Sequence, residues 1–258
     1  MTVKFTILGC GSSLGVPRPD GSFGNCNKNQ IKNHRSRCSA LISTKNTNTL
    51  IDTSPDLRFQ LISNKIKNID RVFYTHMHAD QTHGINDLRV FYLINKKKIP
   101  IYADKLTSKF LKNSFAFCFN NNDDGYPPTL ELRNLFKKHI FFDEQTKLKI
   151  RPVSIKHGNI NCMSYIINDV CGYASDISSI NKKNLIYFKN LKYFIVDCLR
   201  FEPHPSHYNL NQVIELIDII QPKKTILTNL SSEMDYDTLN NLLPKKILPA
   251  YDGMKILF

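Results

Sequence analysis

The chain is 258 residues long, enough for a large layered domain whose core needs no disulfide or metal staple. Hydrophobic residues make up 41% and charged residues 22%, which excludes the disordered, collagen-like and low-complexity classes; no apolar run approaches the roughly 20 residues that cross a bilayer. The net charge of +13 raises the question of nucleic acid, but the lysines come in short runs, such as residues 96–98, Lys137-Lys138 and Lys182-Lys183, in a chain also rich in Asn and Ile. They read first as solvated surface. The apolar stretch at residues 5–8 is too short for a signal-peptide core, so a cytoplasmic protein is expected. Seven cysteines, odd in number and without a CxxC pair, argue against a disulfide framework, and Cys10, Cys26 and Cys38 lack the spacing of a zinc knuckle.

Residues 3–8 alternate as a strand and break at Gly9-Cys10-Gly11-Ser12-Ser13, a small-residue turn that permits close backbone approach. Residues 16–37 are polar and aperiodic, as in a long surface loop near the working end of a fold. Residues 39–43 and 49–52 read as a hairpin around Lys45-Asn46-Thr47-Asn48, and Pro55 opens a helix over residues 56–63. A buried strand over residues 71–75 runs into histidine-rich sequence, after which Ile85, Leu88, Phe91 and Tyr92 carry helical spacing over residues 84–96. A strand over residues 99–103, a helix over 105–119 and a flexible excursion at 120–128 follow.

Strands return within residues 140–155, and residues 162–167 and 172–175 pair around Asn168-Asp169. An apolar strand over residues 191–197 follows a helix. The helix over residues 210–220 turns Val213, Ile214, Leu216, Ile217 and Ile220 toward the core, and residues 224–229 form another strand. No linker or short repeat interrupts the pattern, so one domain over residues 1–258, with helices covering sheets, is expected.

The informative run is Thr75-His76-Met77-His78-Ala79-Asp80-Gln81-Thr82-His83-Gly84, at the end of an apolar strand. Neutral imidazoles in this density suit borderline cations such as Zn2+ or Mn2+, and a carboxylate among them can hold a second ion or steer an attacking water. His34 and His139 read as solvated, and His83, Asp87 and Arg89 either touch substrate or pair along their helix.

With the Leu8-Gly9-Cys10-Gly11-Ser12-Ser13 turn, Asp52-Thr53-Ser54-Pro55-Asp56, His157-Gly158, Ser175-Asp176, His204-Pro205-Ser206-His207 and Asp252-Gly253-Met254, the run resembles the metallo-β-lactamase superfamily. Within it the chain is similar to the branch containing the phosphoribosyl cyclic phosphate phosphodiesterase of phosphonate breakdown. The resemblance implies an α/β fold of αββα type, two mixed β-sheets face to face with helices on both outer faces. It assigns a first metal site to His76, His78 and His157, with Asp176 bridging. It assigns a second to Asp80, Asp176, the residue after Asp80 and a histidine after a late strand. Here the chain departs from the pattern, with Gln81 and, after the late strand, Asn229. Amide oxygens are poorer ligands than imidazole for Zn2+ though tolerable for harder Mn2+, so one tight ion and a labile second are expected. Asp52 is expected to buttress the metal loop from behind.

The implied chemistry is hydrolysis of a small cyclic phosphate or nucleotide-like phosphodiester by a metal-activated water, with Asp80 orienting the nucleophile and His207 either protonating the leaving oxygen or holding the phosphate. His204 is the packing or supporting member of its pair, although the two roles could be exchanged. An RNA-processing nuclease of the same superfamily is the less favoured alternative, because the insertion at residues 120–128 is acidic rather than basic. A weakened member that binds a ligand or protein is the third reading, and a homodimer stays open. β-Lactamase activity does not follow from the fold.

Overall fold

The computed structural model describes residues 2–121, 125, 127–135 and 140–258. Residues 122–124, Tyr126 and His139, which belong to the expected excursion and solvated surface, lie outside the described residues. The strands are β1 (Lys4–Gly9), β2 (Ser39–Ser43), β3 (Asn48–Ile51), β4 (Arg71–Phe73), β5 (Ile99–Ala103), β6 (Leu130–Asn134) and β7 (Phe141–Asp143), then β8 (Leu148–His157), β9 (Ile160–Ile167), β10 (Cys171–Ala174), β11 (Tyr193–Asp197), β12 (Lys224–Thr228), β13 (Ile247–Pro249) and β14 (Met254–Leu257). They form two seven-stranded sheets, one in the order β14-β1-β2-β3-β4-β5-β6 and the other in the order β13-β12-β11-β10-β9-β8-β7. Both are mixed: β3 to β6 run parallel, as do β10 to β13, while the remaining pairs are antiparallel.

The period-two alternation of the strands decides which side chains go where. Phe5, Ile42, Ile51, Phe73, Tyr165, Tyr173 and Ile195 point between the sheets and form the central core. Their neighbours Leu41, Leu50 and Val72 point outward and are covered by α1 (Leu57–Ser63), α3 (Arg89–Asn95) and α4 (Lys105–Ser114), through Leu57, Leu61, Phe91 and Leu111. On the other outer face, Ala174, Phe194 and Val196 meet Val213, Leu216, Ile217 and Ile220 of α6 (Leu210–Ile220), with Leu239 of α7 (Tyr236–Leu242) in the same cluster. The layers are therefore αββα.

Departures from the sequence reading are local. A 3-10 turn at Ile85–Leu88 precedes α3, and α2 (Ala79–Thr82) is a single turn on the histidine loop. The helix expected over residues 105–119 breaks at Phe115 into α4 and α5 (Ala116–Phe119). Ile214 is 36% exposed rather than in the core, because the apolar stripe of α6 is narrower than its composition. All seven cysteines are buried and free, and among the described residues no helix is long and apolar enough to cross a membrane.

Candidate metal centre

The site forms where the carboxyl ends of strands from both sheets meet. β4 leads to His76 and His78, β10 to Asp176, β11 to Asp197 and β12 to Asn229, while β8 ends at His157. Parallel strands put such ends at one edge, where a ligand crevice opens. The ring nitrogens of His76, His78 and His157 lie within 4.8 Å of one another, as do the ligand atoms of a second group, His157, Asp176 and His207. Residues distant in sequence thus converge, with Asp176 grouped with His157 and His207 rather than with His76 and His78 of the loop.

The donor set fits a divalent cation. His76 Nε2 faces His78 Nδ1 at 2.9 Å, and two imidazole lone pairs at that separation require a proton or a cation between them. Burial, aided by the neighbouring imidazoles, lowers His76 to about 3, so its ring is neutral near pH 7; burial also lowers His78. His157 Nδ1 lies 2.7 Å from the carbonyl of Ser206; a carbonyl only accepts, so Nδ1 carries the proton and Nε2 keeps the lone pair.

Asp52 sits behind the loop, fully buried, at φ 62°, a left-handed conformation that Asp tolerates better than most residues. Its carboxylate accepts from the backbone N–H and the hydroxyl of Thr75, both at 2.8 Å, and Thr75 Oγ1 lies 3.0 Å from His76 Nδ1. An ion on His76 Nε2 requires the proton at Nδ1, donated to Thr75 Oγ1, whose own proton goes to Asp52. Burial pushes the Asp52 carboxyl well up, so a cation at the histidines and an ionised Asp52 favour each other.

The facing backbone is held by close approach. Gly84 N–H donates to the Thr53 carbonyl at 2.9 Å and Thr53 N–H donates to the Gln81 carbonyl at 2.8 Å. A Cβ at Gly84 would stand 2.0 Å from the Ser54 carbonyl oxygen, so only glycine permits the two loops to touch.

Across the cleft, His207 Nδ1 donates to Asp197 Oδ2 at 2.7 Å. Burial acts to lower the His207 ring, but the Asp197 carboxylate overrides it and raises the ring to about 9. Burial, then Asp176, pushes Asp80 up to about 6. Burial opposes ionisation of Asp176, and the imidazoles around it nevertheless hold it below the usual carboxylate range. Gln81 and Asn229 are both buried against Asp176. His204 lines the cleft with its Nδ1 against Ser206.

The cleft measures about 320 Å³, and Ser12, Leu14, Arg200 and Glu233 join the predicted residues in its wall. Arg200 escapes sequence reasoning because nothing marks one arginine among many. Its guanidinium is pinned to the carbonyls of Glu202 and Pro203, at 3.2 and 2.7 Å. His83 is exposed and packs edge-on against Phe115, and neither it nor Asp87 or Arg89 is in the cleft wall. His34 is exposed, as expected.

Comparison with known proteins agrees with this geometry. Residues 47–228 match the family model described as the beta-lactamase superfamily domain. A crystal structure of a new diphosphatase from the PhnP family superposes with a TM-score of 0.91 at 30% identity, over 100% of this chain and 98% of that one. A Porphyromonas gingivalis protein named octanoyltransferase is 28% identical over 99% of this chain; the chain spans 51% of that relative. Zn2+-bound PqqB from Methylobacterium extorquens shares the fold, with a TM-score of 0.77 at 15% identity over 99% of both chains.

Proposed function

The chain belongs to the β-lactamase superfamily, with the PhnP-family diphosphatase among its full-length relatives, and from that membership we propose a metal-dependent hydrolase acting on a small phosphodiester, such as a cyclic phosphate or a nucleotide-like ester. The observation that carries this reading is a cluster of three imidazoles, His76, His78 and His157, at a cleft of about 320 Å³ whose wall holds His78, His157, Asp80, Asp176 and the carboxylate-held His207, a volume suited to a small ligand.

His76, His78 and His157 would hold the ion. When bound, it supplies Lewis acidity that makes water nucleophilic near pH 7. Asp80, in the cleft wall and raised to about 6, would orient an attacking water and take up its proton. His207, kept protonated by Asp197, gives a proton to the leaving oxygen. Arg200, fixed by backbone carbonyls in the cleft wall, offers a preorganised positive charge to the phosphoryl group. The diphosphatase likeness supports phosphorus as the reacting centre. The octanoyltransferase name belongs to a relative of which this chain spans 51%, and it contributes nothing to the proposed function.

The test is turnover by protein stripped of metal and reloaded with Zn2+ or Mn2+, using an aryl phosphodiester, a ribose cyclic phosphate and a diphosphate diester. Metal-dependent hydrolysis of at least one is expected. No hydrolysis of any by metal-loaded protein would overturn the reading.

A further inference from the structure

The surroundings of Asp176 do not fit a second cation. Both of its oxygens face amide NH2 groups: Gln81 Nε2 lies 3.3 Å from Oδ2 and Asn229 Nδ2 lies 3.4 Å from Oδ1. The same Gln81 nitrogen reaches Asp80 Oδ2 at 3.1 Å, so one amide spans the two carboxylates. An amide nitrogen has no lone pair free for a metal and presents partial positive charge. Turning the Gln81 amide over would set its oxygen against two carboxylates. The observed orientation is therefore the electrostatically favoured one, even though it leaves Gln81 Oε1 buried without a partner. Asn229 stands directly after β12 at φ 59°, and its Nδ2 also lies 3.2 Å from His207 Nδ1.

A second argument comes from His157. Both candidate ligand groups need it, but its Nδ1 proton is committed to the Ser206 carbonyl at 2.7 Å, leaving one lone pair, at Nε2. One nitrogen lone pair serves one ion, so these two groups cannot be filled together, and a second ion would have to rest on Asp80 and Asp176, where the amides stand.

We propose that this chain binds a single divalent ion, on His76, His78 and His157, and that the amides of Gln81 and Asn229 replace a second ion by bracing Asp80 and Asp176. The brace does part of what a cation would do there: it lets two acidic side chains share one crevice by hydrogen bonding instead of by charge. The inference rests on the reading of this cleft as a metal centre.

Counting bound metal tests it without recourse to activity. The full chain is stripped with chelator, exposed to excess Zn2+, freed of unbound metal and analysed by native mass spectrometry and elemental analysis; a parallel sample loaded with Mn2+ is examined by electron paramagnetic resonance. About one ion per chain is expected, with the spectrum of isolated Mn2+ rather than a coupled pair. The Gln81→His/Asn229→His double variant is expected to gain a second ion, and the wild-type count stands by itself if that variant does not fold. Two ions on the wild-type chain would overturn this inference and leave the proposed function intact. No bound ion would overturn both. A folded double variant that still holds one ion would overturn the assignment of these two positions.

Discussion

The Nδ1 proton of His207 is held by Asp197, 2.7 Å away on a carboxylate with no solvent exposure. That pairing raises the ring to about 9 from its ordinary 6.5. A proton donor works below its pKa, so the alkaline limb of the kcat/KM profile is expected near the raised value. Asp197→Asn keeps an acceptor for Nδ1 but removes the charge, and the limb should move down toward the ordinary histidine range. At pH 8 the loss is expected to be about tenfold or more. An unmoved limb in the pH–rate profile would remove His207 from the proton-donor role.

Asp52 reaches His76 through the Thr75 hydroxyl, and would act on a bound ion by that route. Replacing it by Ala frees the Thr75 hydroxyl to donate to Nδ1, which puts the His76 proton on the nitrogen meant for metal. Zn2+ affinity, measured by competition with a chromogenic chelator, is expected to fall by about 10- to 100-fold. Circular dichroism separates this from unfolding.

Gly84→Ala is expected to strain the contact between the histidine loop and residues 53–54, since the added methyl meets a backbone oxygen that cannot rotate away. Overpacking of this kind costs about 1–3 kcal/mol. The checks are a lowered thermal midpoint and weaker metal retention; an unchanged midpoint would show that the loops are free to separate.

Arg71 in β4 and Asp143 in β7 join the two sheets through an ion pair at 2.7 Å, with side chains 12% and 11% exposed. Burial alone would raise the Asp143 carboxyl, but the Arg71 hydrogen bond holds it below its ordinary 3.8. A depressed acid stabilises the fold above its unfolded pKa, and that contribution is lost as the pH falls through the folded value. Arg71→Leu is therefore expected to cost about 1–3 kcal/mol at pH 7, with the difference from wild type shrinking below about pH 4. Urea melts at pH 7, 5 and 3 read this directly.

The sequence was most legible where chemistry is dense or periodicity long. The histidine run and the pattern of α6 announced themselves, and the layered architecture followed from the family resemblance. Strand β13 did not, since three residues, Ile247–Pro249, carry too little alternation to recognise. Strand β14 takes its place from pairing with β1 at the other end of the chain, Phe5 opposite Ile256, which no local pattern records. The break at Phe115 was hidden because its two flanking helices keep helical spacing on either side. At the site, Asp52 and His157 came from motifs, whereas the amide orientations of Gln81 and Asn229, and the place of Arg200, exist only once separate segments are brought together.

The three imidazoles come from both halves of the sandwich, His76 and His78 following a strand of one sheet and His157 ending a strand of the other. Any cation they share is a rivet through the seam, and its grip must be broken before the halves can part. Amide protons of β4 and β8 should accordingly exchange more slowly in metal-loaded protein, and by the same mechanism, while strands remote from the seam, such as β6 and β13, feel the ion only through global unfolding.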